Sequence, residues 1–66
     1  MSDVEALKEE IKKLSARAMQ AKMDLHDLSE ELPVNAENIL SVAQRTHEAY
    51  VVLAEKRAEL KALEKQ

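Results

Sequence analysis

Residues 28–40 read LSEELPVNAENIL, and this stretch decides the fold because it separates two long helical patterns. Pro33 disfavours helical geometry at Leu32, so the first helix is predicted to end there. Asn35 is a favourable N-cap residue for a second helix. The sequence therefore predicts a single domain over residues 1–66, with a helix over 3–32, a turn over 33–35 and a helix over 36–65.

On both sides of this break, apolar residues recur at alternating steps of three and four, which is the heptad seam of a coiled coil. Ser2 and Glu5 form a capping box that starts the first helix near Asp3. The second seam has one break, at Lys56. The first seam is Val4, Leu7, Ile11, Leu14, Ala18, Ala21, Leu25, Leu28 and Leu32, and the second is Ile39, Val42, Thr46, Ala49, Leu53, Leu60 and Leu63. A connection this short between equal helices predicts an antiparallel hairpin.

Each helix carries a further set of apolar and histidine residues roughly 130–150° around from its seam, at 100° per residue. We call this set the outer stripe; it consists of Ala16, Met19, Met23 and His26, with Leu40, His47, Val51, Ala54 and Ala58. A chain of 66 residues rarely builds an adequate core alone. The fold class is therefore predicted to be an all-α hairpin that assembles into a four-helix bundle as a homodimer or larger oligomer. The predicted interface residues are Met19, Met23, His26, Leu40, His47 and Val51.

Composition excludes several classes of protein. The chain contains no Cys, which removes disulfides and thiolate chemistry, and its net charge of −3 disfavours nucleic-acid binding. No apolar run approaches the roughly 20 residues that span a bilayer, and the acidic start is unlike a signal peptide. We therefore expect a cytoplasmic protein that binds neither nucleic acid nor membranes.

Enzymatic motifs find no support in the sequence. A di-iron bundle needs a Glu three residues before each metal-binding His, but Met23 precedes His26 and Gln44 precedes His47. The chain has no Gly, so it has no phosphate-cradling loop. No Ser lies in a nucleophile elbow. We expect a protein that is not an enzyme.

One segment has the composition of a metal site. His26 and Glu30 are four residues apart on one helix face, a spacing that can chelate an ion, and Asp27 adjoins them. Met23 could add a soft ligand, and His47 could join only through contacts between chains. These residues predict a site for a divalent transition metal such as nickel, zinc or iron. The alternative interpretation is that the methionines fill packing gaps and the histidines lie at an edge.

The runs KMDLHDLSEELP (22–33) and AQRTHEAY (43–50) resemble a family of small helical-hairpin proteins found among nitrogen-fixation genes and described as Rop-like. The resemblance covers nearly the whole chain and carries over residues 22–28 by position. It implies a self-associating hairpin with a cytoplasmic role accessory to nitrogenase, in handling metal or maturing a cofactor, with nitrogenase-maturation proteins as partners. His47 stands where relatives are expected to have an aromatic residue, commonly Tyr.

Three functions compete at this stage. The first is an accessory protein of nitrogen fixation that binds metal through His26 and the neighbouring carboxylates. The second is a metal-independent module that docks onto a larger protein through the outer stripe and the acidic segment 23–44, which has five acids and neither Lys nor Arg. The third is an RNA-binding hairpin like true Rop proteins, which the anionic segment disfavours.

Overall fold

A computed structural model describes residues 3–65, and every regular element in that range is helical. Helix α1 (Asp3–Glu31) and helix α2 (Ile39–Glu64) pack along each other as an antiparallel hairpin, which confirms the predicted two-helix architecture. The rod measures 50 × 15 × 13 Å, with a radius of gyration of 15.2 Å. A globular chain of this length would have a radius of about 11 Å. Neither of the described helices has a stretch long and apolar enough to cross a membrane.

The turn between the helices closes through backbone hydrogen bonds. Helix α1 ends at Glu31, one residue before Leu32, and the Val34 amide donates to the Glu31 carbonyl at 3.0 Å. A single 3-10 turn (Ala36–Asn38) follows, where the predicted second helix was expected to have begun. The Asn38 amide donates to the Asn35 carbonyl at 2.9 Å. The predicted capping box at the other end of α1 involves Ser2, which lies outside the described residues.

Asn35 does not cap the second helix in the way that the sequence indicated. Its backbone is left-handed (φ 64°, ψ 24°), and its side chain makes no capping hydrogen bond. An N-cap residue has extended dihedrals, whereas the left-handed conformation is typical of residues that close a preceding helix. The Asn35 Nδ2 accordingly donates to Glu31 Oε1 at 3.0 Å, back toward α1. The prediction of an N-cap at Asn35 was wrong for this reason.

The two seams meet along the length of the hairpin, but they enclose a small core. Thr46 Oγ1 donates to the Ala21 carbonyl at 3.2 Å, which sets residue 46 beside residue 21. Ala18 and Leu53 are the most enclosed residues, at 1% and 3% exposure. The buried residues of the described chain are Leu7, Ala18, Leu28, Val42 and Leu53, and the remaining seam positions are half-buried or exposed. A core of this size gives a single hairpin little stability.

Lys56 interrupts the apolar pattern of the second seam, but the methylenes of its side chain fill that position. Its stem is half-buried, and its Nζ lies 3.7 Å from Glu10 Oε1 on α1 and 3.6 Å from Glu59 Oε2 on α2. A long side chain can cover apolar surface with its methylenes while the ammonium reaches solvent and carboxylates. The seam is thus continuous in packing, although it is interrupted in sequence.

Candidate functional site

The outer stripe is exposed to solvent along its whole length. Leu40 is 83% exposed, Met19 is 62% exposed and Met23 is 52% exposed. Single exposed apolar residues are ordinary, but a line of them along one side of a rod is a feature of interaction surfaces. The structure therefore places the interface residues predicted from sequence on a surface available to a partner.

His26 lies between two carboxylates on the exposed side of α1. Its Nε2 is 3.1 Å from Glu30 Oε1, and its Nδ1 is 3.8 Å from Asp27 Oδ1. All three side chains are more than three-fifths exposed. A pair this exposed contributes little to stability, because solvent screens it and holding the side chains costs entropy. The three residues are therefore free to reorient toward a ligand.

His47 does not join this group within one hairpin. The Thr46–Ala21 hydrogen bond sets His47 level with about residue 20. At 1.5 Å per residue, His47 is then roughly 9 Å from His26 along the helix axis. Across residues 3–65, no three His, Asp or Glu side chains are arranged to hold a metal ion together. A metal bound to His26 and Glu30 would take its remaining ligands from water or from another chain.

The five acids of the acidic segment lie in the last turns of α1 and in the connection. The last turn of α1 contains no basic residue, and Glu30 and Glu31 are both exposed there. The acidic side chains make this end of the rod strongly anionic, whereas the macrodipoles of the two helices oppose each other here, because α1 ends and α2 begins at this end. Cationic partners would be attracted to this end.

A groove on the opposite side of the hairpin was not predicted from the sequence. We call it the arginine groove; it consists of Arg17 and Arg45 at its rim, with Leu14, Ala21, Thr46 and Ala49 forming its floor. The floor residues are half-buried seam residues, so the seam is open to solvent on this side. None of the outer-stripe residues lines this groove.

A sequence signal for this groove does exist. Arg17 directly precedes Ala18 in the first seam, and Arg45 directly precedes Thr46 in the second. Both arginines therefore occupy the heptad position just before a small seam residue, and in an antiparallel pair these positions face each other across one side of the seam.

These features define a small antiparallel helical hairpin with two partly apolar surfaces. Comparison with known proteins identifies the family: the chain belongs to the Rop-like family, whose model matches residues 2–65. The family resemblance in the sequence is thereby confirmed.

Relatives match over most of the chain. A UPF0437 protein from Azorhizobium caulinodans is 58% identical over 64 residues, covering 97% of this chain and 93% of the relative. A protein from Frankia alni, described as a UPF0437 protein in the nifX-nifW intergenic region, is 44% identical over 52 residues, covering 79% of this chain and 63% of the relative. The Frankia description places that relative among nitrogen-fixation genes.

A solved structure shares the fold. An NMR structure determined as a structural-genomics target is 46% identical and superimposes with a TM-score of 0.91, covering 98% of this chain and 92% of the other. A match of this extent supports the hairpin as a whole, including the relative placement of its two helices.

Proposed function

We propose that this chain is a non-enzymatic cytoplasmic accessory protein of nitrogen fixation that acts by helix docking. Two or more hairpins form a bundle, and the bundle binds a protein involved in nitrogenase maturation. The observation that carries the proposal is the outer stripe, which is an exposed apolar surface. The described part of the rod buries five residues, so most of its apolar side chains are left for contacts with a partner.

The chemistry of the outer stripe fits a docking role. Met19 and Met23 have flexible, polarisable side chains that adapt to irregular surfaces. Leu40 contributes a branched apolar side chain that is 83% exposed. Burying such side chains against a partner helix removes apolar area from water, at about 25 cal/mol per Å². The anionic end next to the stripe would steer a cationic partner toward it.

The link to nitrogen fixation rests on the relatives. The Frankia relative is described by its position between two nitrogen-fixation genes, and it shares 44% identity with this chain. Transferring that context to this chain is part of the proposal. It agrees with the role that the KMDLHDLSEELP segment implied.

Deletion of the gene in a nitrogen-fixing host tests this function. Acetylene reduction and growth on dinitrogen should both fall, and the wild-type gene should restore them. Met23→Glu should fail to restore them, because a charge in the outer stripe opposes docking. Ser41→Glu is the matched control, since it makes the same charge change at an exposed position of α2 on another face of the helix. Unchanged nitrogen fixation in the deletion strain would refute the proposal.

A second candidate function is binding of a divalent transition metal, which the geometry of His26 supports. His26 Nε2 and Glu30 Oε1 are 3.1 Å apart on adjacent turns, so both can turn toward one ion without a change in backbone. Asp27 Oδ1 lies 3.8 Å from His26 Nδ1, on the other side of the imidazole ring, so an ion held at Nε2 and Glu30 would take its remaining ligands from water or another chain. Nickel, zinc and iron(II) all accept a mixture of imidazole and carboxylate ligands.

Calorimetric titration of the purified chain with each metal tests this candidate. His26→Ala should weaken binding at least tenfold, and Glu30→Gln should weaken it by a smaller factor. His47→Ala is the control, because His47 lies roughly 9 Å away along the axis. Equal affinity of wild type and His26→Ala would remove His26 as a ligand, and no heat with any metal would end the candidate.

A further inference from the structure

The side of the hairpin opposite the arginine groove carries a cluster of exposed cations. Residues that directly follow a seam position lie on this side in both helices, whereas Arg17 and Arg45 directly precede one. Lys8 and Glu64 both follow a seam position, and their ion pair of 3.8 Å across the hairpin shows that the two helices present this side together. We call its cationic part the lysine face; it consists of Lys12, Lys22, Arg57 and Lys61 around Met19, Tyr50 and Ala54.

The charges of the chain are divided unequally between the two sides of the seam, when Lys56 is counted as a seam position. Among residues 3–65, those that follow a seam position include five bases and two acids: Lys8, Lys12, Lys22, Arg57 and Lys61, with Glu5 and Glu64. Those that precede one include three bases and eight acids: Lys13, Arg17 and Arg45, with Asp3, Glu10, Asp24, Asp27, Glu31, Glu48, Glu55 and Glu59. The net charge of −3 thus combines a cationic side with an anionic side.

The cations of the lysine face are placed at both ends of a short apolar stretch. The Thr46–Ala21 hydrogen bond sets residues at one level when their numbers add up to about 67. Arg57 is then within about 3 Å of the level of Lys12, and Lys22 is roughly 15 Å nearer to the loop. The three apolar residues of the face, Met19, Tyr50 and Ala54, all lie at levels between these two.

The lysine face is available to a ligand from outside the chain. None of its four cations forms an ion pair with another residue of the range 3–65. Met19 is 62% exposed and Tyr50 is 41% exposed. Tyr and Met are both common anchors of interfaces, because each offers apolar area together with a polar or polarisable atom. A bundle that closes over the arginine groove would leave this face exposed.

This pattern is complementary to an acidic amphipathic helix. About ten residues of helix, or nearly three turns, span the roughly 15 Å between Lys12 and Lys22. A helix laid on this stretch would bury an apolar stripe against Tyr50 and Met19, and acidic residues beside the stripe would meet the cations at both ends.

A nucleic acid fits the same surface less well. Four cations release few counterions, so phosphate contacts alone would give weak binding at physiological salt. A polyanion that extended past the edge of the face would also be repelled by the acids on the other side. The apolar residues between the cations gain from burial against another apolar surface, which a phosphate backbone does not provide.

We propose that the lysine face binds an acidic amphipathic helix of a partner protein. The apolar stripe of this helix covers Met19, Tyr50 and Ala54, and its carboxylates lie beside the four cations. This inference rests on the docking role in the proposed function and names the chemistry of the partner's segment. The acidic segment begins just beyond Lys22 toward the loop, so basic residues of the partner helix would be confined to that end.

Fluorescence anisotropy of the full chain with two labelled peptides tests the chemistry. Both peptides are amphipathic helices of about 18 residues with one leucine stripe, and the residues beside the stripe are glutamates in one and lysines in the other. The acidic peptide should bind at least about tenfold more tightly than the basic one at low salt. This preference should shrink as salt is added, because salt screens exposed charges.

Two neighbouring lysines test the surface. Lys12→Glu should raise the dissociation constant of the acidic peptide about fivefold or more. Lys13→Glu is the matched control: it makes the same change at an exposed lysine of α1 that precedes a seam residue and so lies on the other side. It should leave the dissociation constant within about twofold of wild type. Tyr50→Ala should weaken binding without changing the salt dependence, and circular dichroism checks that every variant keeps its helices.

Each result supports or overturns the proposal. Equal affinity for the two peptides, or no binding of either, would overturn the acidic partner, and equal effects of Lys12→Glu and Lys13→Glu would overturn the lysine face. A single-stranded RNA that bound more tightly than the acidic peptide and was weakened by Lys12→Glu would overturn the proposal in favour of nucleic acid.

The gene deletion separates this inference from the proposed function. Impaired nitrogen fixation without a peptide preference would keep the docking role and remove the acidic partner. A peptide preference that depends on Lys12, in a chain whose deletion leaves nitrogen fixation unchanged, would support the lysine face and remove the link to nitrogen fixation.

Discussion

Thr46 Oγ1 lies 3.2 Å from the carbonyl oxygen of Ala21, and this hydrogen bond joins the two helices near the middle of the rod. The same hydroxyl is 2.9 Å from the Val42 carbonyl oxygen, so its hydrogen is shared between the two acceptors. A polar residue in a seam position thus fixes how far one helix is shifted along the other. That shift determines which charges face each other across the arginine groove.

Thr46→Val keeps the size of the side chain and removes this hydrogen bond. We expect the free energy of unfolding to fall by about 1 kcal/mol. The melting temperature should fall by about 4–8 °C for a chain of this length. Thr46→Ser retains the hydroxyl and serves as the control for the hydrogen bond. Because self-association couples melting to concentration, all variants should be melted at one protein concentration. Equal stability of Thr46→Val and wild type would show that the hydrogen bond contributes nothing.

The turn provides a second prediction, at Asn35. A residue with φ of 64° pays a steric cost if it has a β-carbon, and Asn tolerates this conformation better than Ala or Val. Asn35→Val should therefore lower the free energy of unfolding by about 1–2 kcal/mol. Asn35→Gly removes the β-carbon and also the hydrogen bond to Glu31, so its stability should stay within about 0.5 kcal/mol of wild type. Urea denaturation measures both, and a Gly variant that is less stable than the Val variant would contradict the steric explanation.

Much of the hairpin could be predicted because its determinants are local. Pro33 fixes the end of the first helix to within one residue, and the spacing of the seam residues fixes the face that each helix buries. The exposure of the outer stripe follows from the same spacing. Both the buried face and the exposed face of a helix can be predicted from the spacing of its own residues, without knowledge of how the rest of the chain folds.

The features that escaped prediction depend on the relation between distant parts of the chain or on backbone geometry. Asn35 was expected to cap a helix because its residue type is common there, but the left-handed backbone that directs its side chain to Glu31 is set by the turn. Arg17 and Arg45 are separated by 28 residues, and only the pairing of the helices brings them to one groove.

A third prediction concerns the closest part of the helix packing, at Ala18. This residue is 1% exposed, so its methyl group already contacts neighbouring atoms on all sides. Ala18→Leu would insert three carbon atoms there and push the helices apart, at a cost of about 1–3 kcal/mol in the free energy of unfolding. Ala16→Leu is the control, since Ala16 is exposed on the same helix. Thermal melts should show a loss for Ala18→Leu alone, and equal melting temperatures for the two variants would contradict the tight packing at Ala18.

The last prediction concerns Lys56, which occupies a seam position and pairs with Glu10 and Glu59. Lys56→Leu removes two partly exposed ion pairs, which contribute little, and places an apolar side chain on the seam. Burial of that side chain should raise the free energy of unfolding by about 1 kcal/mol. A lysine at a core position also restricts which assemblies can form, at a cost in stability.

We therefore expect Lys56→Leu to melt at a higher temperature and to populate larger oligomers in sedimentation velocity. Lys56→Met, which keeps an unbranched stem, separates the removal of charge from the change of shape. If Lys56→Leu melted lower than wild type, the ion pairs with Glu10 and Glu59 would be stabilising the hairpin more than an uninterrupted seam does.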